Sequence, residues 1–252
     1  MAKVYAEITE NCVNVYTKAK PGWGMASFAL PLGVGEVAGV KLPAVLVANT
    51  RLAAIRVVGM PPVKWQDIFK PADRWEFVKQ GYPISEKMNE TTHIFDGTVF
   101  ENAEGVRRFF MVALPHDIAA EMGKNCASLL GGATSLKCLD TIEHYIFRHF
   151  LRYDNDNFWV VFPQDEGFRI LYLTDGLPYA AWSISDHLDF RLAEVGRIFD
   201  GLKAESEDGK TALAKAIVLN TDLDLEWLYQ FFAERDVEVE QGNFVVTDFF
   251  NK

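Results

Sequence analysis

Residues 158–185 read FWVVFPQDEGFRILYLTDGLPYAAWSIS. Apolar and aromatic runs at Phe158–Phe162, Phe168–Leu173 and Tyr179–Ile184 are separated by turn residues, first Gln164–Gly167 and then Asp175-Gly176. That is the pattern of three strands joined by short connections. Ser185-Asp186 comes next as a helix cap. From His187 to Lys203 the residues Leu188, Leu192, Val195, Ile198, Phe199 and Leu202 fall on one stripe at helical spacing. An acidic loop, Glu205-Ser206-Glu207-Asp208-Gly209, gives way to a buried strand at Ala216–Leu219, a helix over 224–234 and a last strand at Val237–Glu240. The order is βββαβαβ.

Upstream of the turn-rich Asp154-Asn155-Asp156-Asn157 the same scheme recurs more loosely. Residues 3–17 read as a strand pair: Val4, Ala6 and Ile8 alternate with polar neighbours, Glu10-Asn11 turns the chain, and Val13 and Val15 resume the pattern. Strands are expected at Ala26–Leu30, Ala44–Ala48 and Leu52–Val58, the last stopped by Met60-Pro61-Pro62. Residues 65–80 suggest short helices, ended by Tyr82-Pro83. A polar stretch over 84–104 carries a strand at His93–Phe100, and Val106–Leu114 is a strongly apolar strand. Helices are expected over Asp117–Leu130, closed by Gly131-Gly132, and over Leu136–Leu151. The reading is an α/β chain of two similar halves, 1–153 with an insertion near 84–104 and 154–252, each a mixed sheet flanked by helices.

Composition narrows the function. The 252 residues carry a net charge of −10, which argues against a nucleic-acid partner, because phosphate backbones call for a basic face. The longest basic cluster is Arg107-Arg108. The most apolar stretch, Val37 to Val58, is broken by Lys41, Arg51 and Arg56, so direct membrane insertion is not expected. Cys12, Cys126 and Cys138 have no metal-ligand spacing and cannot all pair, as expected of thiols in a reducing cytoplasm.

The motifs that suggest chemistry fail in context. Gly33-Val34-Gly35-Glu36-Val37-Ala38-Gly39 resembles a dinucleotide fingerprint, but its last spacing is one residue too long and Lys41-Leu42-Pro43 comes after it rather than a helix. Gly209-Lys210-Thr211 resembles the tail of a phosphate loop, yet Ala204 stands where the first glycine belongs, and three nearby carboxylates would repel phosphate. The 154–157 turn lacks the glycine and terminal glutamate of a calcium loop. His93, His116, His144, His149 and His187 are scattered, and no nucleophile, base and acid stand together. No metal site or catalytic residue is nominated.

Short patches, taken in order, resemble the cytoplasmic assembly-platform proteins of type IV pili and type II secretion systems, of the PilM and GspL type, which have a duplicated RNase H-like (actin-like ATPase) fold. Leu46–Thr50 through Arg56–Pro61 is similar to their strand, turn and strand ending in a Leu-Pro corner. Trp75-Glu76-Phe77 before Tyr82-Pro83, Met111–Pro115, Leu139-Asp140 and Asp175–Pro178 match further elements in sequence.

The resemblance implies three glycine-bearing sites for ATP and its metal in the nucleotide-binding members. This chain departs from all three. The Asp-Ile-Gly-like start of the first hairpin is Glu7-Ile8-Thr9, the second hairpin offers Phe162-Pro163-Gln164, and Leu219 is succeeded by Asn220-Thr221-Asp222 instead of a glycine pair. Thr221 and Asp224 look like an N-cap pair for the next helix. These departures imply a non-catalytic scaffold without a cofactor, at the inner face of the cytoplasmic membrane. It would bind the cytoplasmic tail of an inner-membrane assembly protein and could contact a motor ATPase, with oligomerisation left open. Two alternatives stand beside it: an active ATPase using Mg-ATP, with Glu7, Asp165 and Gly167 as its candidate residues, and a small-molecule enzyme using the cleft between halves.

Overall fold

The computed structural model describes residues 4–9, 11–19, 22–29, 44–50, 52–59, 88–89, 91–121, 139–150, 157–164, 167–185, 188–205, 215–219 and 225–242. In chain order the elements are β1 (Val4–Ile8), β2 (Cys12–Ala19), β3 (Gly22–Ala29), β4 (Ala44–Ala48), β5 (Ala54–Gly59), β6 (His93–Glu101), β7 (Arg107–Pro115) and β8 (Leu139–Thr141). Next come α1 (Ile142–Phe150), β9 (Phe158–Gln164), β10 (Gly167–Thr174), β11 (Leu177–Ser185), α2 (Leu188–Glu205), β12 (Lys215–Leu219), α3 (Glu226–Ala233) and β13 (Val239–Gly242).

Two five-stranded sheets share one topology. The first runs β3-β2-β1-β4-β8 and the second β11-β10-β9-β12-β13. In each, the first three strands form an antiparallel meander. The fourth strand then pairs parallel to the first, and the fifth pairs parallel to the fourth. A third sheet, β5-β7-β6, is antiparallel throughout. It draws on residues 54–59 as well as 93–115, and so reaches well beyond the 84–104 stretch where an insertion was expected.

The second sheet explains its own sequence. Trp159, Val161, Phe168, Ile170, Tyr172, Ala216 and Val218 pack with Val195, Ile198, Phe199 and Leu202 of α2 and Leu228, Phe231 and Phe232 of α3. The alternate residues Phe158, Val160, Phe162, Leu171, Leu173, Ile217 and Leu219 enter a second core. Both faces are covered, so the strands read as continuous apolar runs rather than as alternation. Burying each such large side chain contributes about 1.5–3 kcal/mol. Asp175 and Gly176 (φ 55° and 67°) supply the double left-handed turn that closes the β10–β11 hairpin.

That second core is common to the two halves. It includes Tyr5 and Val47 of the first sheet, Phe100 and Phe110 of the third, and Ile142, Ile146, Phe147 and Phe150 of α1. The α1 positions recur at i, i+4, i+5 and i+8, a single face. At Gly97 a β-carbon would lie 2.6 Å from the Phe109 ring, so only glycine lets β6 lie flat on β7 there.

Four local expectations need correction. The helix expected over Leu136–Leu151 is preceded by β8, whose Leu139 pairs with Leu46, so helix starts only at Ile142. Leu192, placed on the buried stripe of α2, is 48% exposed. The helix expected over 224–234 spans Glu226–Ala233, and its N-cap is Leu225 without a side-chain hydrogen bond. The last strand, expected at Val237–Glu240, is Val239–Gly242, because Asp236 takes a left-handed turn and the chain straightens only after it. The Thr221 and Asp224 pair, the glycine run 33–39 and the 209–211 segment lie outside the described residues.

Candidate functional site

β1 carries Glu7 into a position where it is only 5% exposed. Burial of a carboxylate demands donors, and the neighbouring strands provide them. Tyr16 Oη donates to Glu7 Oε2 at 2.9 Å and Asn14 Nδ2 to the same oxygen at 3.3 Å. Asn49, at the end of β4, donates from Nδ2 to Glu7 Oε1 at 2.8 Å. Burial, and then the charge of Glu7, push the Tyr16 hydroxyl far above its ordinary pKa, so it stays protonated and keeps donating.

The first hairpin turn is closed on itself. Thr9 Oγ1 accepts the backbone amides of Asn11 at 3.1 Å and Cys12 at 3.0 Å, while Thr9 N donates to Cys12 O at 2.9 Å. The hydroxyl that stands where the resemblance calls for glycine thus takes up amides of that turn.

Across the molecule, the β9–β10 hairpin contributes Gln164 and Arg169. Gln164 Nε2 donates to Asn49 Oδ1 at 3.2 Å and to Glu143 Oε1 at 3.3 Å. Arg169 donates from Nη2 to the carbonyls of Thr50 and Ala53, each at 3.1 Å, and its Nε lies 2.9 Å from Glu143 Oε1 as an ion pair rather than an aligned hydrogen bond. The Arg169 and Glu143 side chains are 3% and 0% exposed. Burial raises the pKa of Glu143, opposed chiefly by Arg169. Glu143 Oε2, Gln164 Oε1 and Thr141 Oγ1 are buried without an aligned hydrogen-bond partner among the described residues.

A chain of polar contacts therefore runs from Glu7 through Asn49 and Gln164 to Glu143 and Arg169, tying β1, β4 and α1 to β9 and β10. Of the residues nominated from sequence, Glu7 lies at one end of it. Gly167 opens β10, its Cα paired with Gln164, and brings no side chain to the chain of contacts. Asp165 lies outside the described residues. Sequence reading missed Asn49, Glu143 and Arg169. Arg169 had a signal, since it is the one charged residue in the apolar run 168–173.

No protein-family model matches the chain, and no curated protein matches it significantly. Solved structures do. A Bacteroides thetaiotaomicron protein with actin-like ATPase fold and unknown function superposes with a TM-score of 0.62 at 8% identity, over 99% of this chain and 95% of that one. The PilM-PilN type IV pilus biogenesis complex superposes with a TM-score of 0.59 at 13% identity, over 96% of this chain and 88% of that one. With two sheets of identical strand order and these likenesses, the chain has the actin-like ATPase fold.

Proposed function

We propose that this chain is a non-catalytic scaffold of a type IV pilus or related inner-membrane assembly platform. On this reading it works at the cytoplasmic face and binds the tail of a membrane partner. The observation that carries the non-catalytic part is the Glu7–Arg169 network. A carboxylate that organises a metal needs free lone pairs, and Glu7 already accepts three donors of the roughly four it can take. Phosphate binding at a hairpin needs open backbone amides, and Thr9 Oγ1 holds those of Asn11 and Cys12. The buried cation between the halves is the protein's own Arg169. The residues present therefore do not fit Mg-ATP in the manner that the resemblance implies.

The pilus part rests on likeness to the PilM-PilN complex. Among the described residues no helix is long and apolar enough to cross a membrane.

The test is calorimetric titration of the folded protein with Mg-ATP. Silence at millimolar nucleotide is the expected result. Micromolar binding that Glu7→Ala abolishes overturns the scaffold reading in favour of a nucleotide-gated one.

A further inference from the structure

β5 and β11 are, among the described residues, the last strands of their sheets, and a groove of about 510 Å³ opens between them and α2. Such edge strands expose backbone donors and acceptors in the spacing an extended chain matches. The third sheet is fixed against the second half beside this groove. Asn102 Nδ2 donates to Asp175 O at 3.2 Å, and Arg108 Nη1 donates to Pro178 O at 3.0 Å while its guanidinium stacks 5.1 Å over the Tyr179 ring. Trp182, stacked on Trp159 with ring centroids 6.4 Å apart, gives the groove a fixed aromatic wall.

Two features are unusual for this surface. The chain has a net charge of −10, yet among the described residues the groove is lined by Arg108 and Arg197 and by no carboxylate. Arg197 is exposed, and no carboxylate pairs with it among the described residues. In addition, Gly59 and Gly201 both line the groove, and a β-carbon at either would meet nothing within 4 Å. Space is thus open above the chain on both sides.

We infer that this groove binds an extended acidic peptide segment, its carboxylates on Arg108 and Arg197 and its chain along the two strand edges. This rests on the scaffold reading and gives its partner a chemistry. Arginine suits the role because its planar fork takes carboxylate in two hydrogen bonds. A lone small anion would use the charges but not the length of the groove.

Fluorescence anisotropy tests it with a labelled nonapeptide alternating glutamate and valine, beside its lysine–valine twin, at low salt. The glutamate peptide is expected to bind at least about tenfold more tightly, with Arg197→Glu removing about that factor. Gly201→Phe fills the groove from a helix position where a β-carbon meets nothing within 4 Å, and an unchanged melting temperature of the variant separates its loss of binding from unfolding. Equal binding of the twins, indifference to both substitutions, or full displacement by millimolar inorganic phosphate overturns the inference. Neither substitution touches the Glu7–Arg169 network, so Mg-ATP titration of the same variants separates failure of the groove from failure of the scaffold reading.

Discussion

The two five-stranded sheets have one strand order but bring opposite charges to the seam between them, Glu7 and Glu143 from the first half and Arg169 from the second. The second carries helices on its outer face and a core there that, among the described residues, is built from its own half. In the first half, the buried residues Tyr5, Val47, Ile142, Ile146 and Phe147 belong to the core held jointly with β9, β10 and β12. On the outer face of the first sheet Ala6, Ile8, Val13 and Val15 are buried too, so both sheets are covered on both sides. The polar network spans the seam, its carboxylates Glu7 and Glu143 from the first half, with Gln164 and Arg169 donating from the second. A duplicated fold whose cleft must open needs a seam that parts easily. Here the seam holds an apolar core and a buried ion pair.

The largest expected effect comes from breaking that ion pair on one side only. Arg169→Met leaves Glu143 buried without its cation, which should cost about 3–5 kcal/mol in urea unfolding, whereas the double variant Arg169→Met/Glu143→Leu should recover most of it. A double variant as unstable as the single one would mean that the contacts of Arg169 with the Thr50 and Ala53 carbonyls matter more than its charge.

The same pair predicts a pH dependence. Because burial raises the folded pKa of Glu143 above its ordinary value of 4.5, there is a pH interval between the two in which the native state holds a proton that the unfolded state has released, and above it the ion pair with Arg169 is charged. Stability from this group is therefore full below about 4.5 and falls as pH rises through the folded pKa. Glu143→Gln should flatten that part of the profile, seen as a difference between urea midpoints of the two proteins across pH 4 to 8. Parallel profiles would show that Arg169 cancels the effect of burial.

A smaller effect separates the third sheet from both halves. Gly97→Ala drives a β-carbon to 2.8 Å from the Phe110 carbonyl as well as into the Phe109 ring. Overpacking of this kind costs about 1–3 kcal/mol. Amide exchange should quicken in β6 and β7 first and leave β9 and β10 protected; uniform acceleration would mean the third sheet is part of the seam.

Legibility in the sequence divides along the same line. The elements from β9 to α2 could be read because Asp175-Gly176 and the Gln164–Gly167 turn punctuate them and each run is long and apolar. β8 could not, since three residues, Leu139–Thr141, running straight into α1 look like its first turn. β5 was legible as a strand, but nothing local says that it joins β7 rather than β1. For the site, the missing glycines and Glu7 were visible. The network was not, because a lone Arg169 in an apolar run marks a buried charge without saying which carboxylate meets it, and Glu143 stands on another element.

The smallest perturbation bears most directly on the two hairpins. Thr9→Gly supplies the residue that the resemblance calls for and frees the amides of Asn11 and Cys12, at a stability cost of about 1 kcal/mol for the lost turn contacts. If the missing glycine alone keeps nucleotide away, this variant should gain Mg-ATP affinity in calorimetry. The expected outcome is silence, because Glu7 would still hold Tyr16, Asn14 and Asn49, and Asn49 would still be tied through Gln164 to the other hairpin. A metal would then have to displace side-chain donors from a buried carboxylate while the ion pair of Arg169 and Glu143 still held the halves together. Adding Arg169→Met to Thr9→Gly removes that second obstacle. Binding in the double variant but not in Thr9→Gly would place the barrier in the seam rather than in the turn.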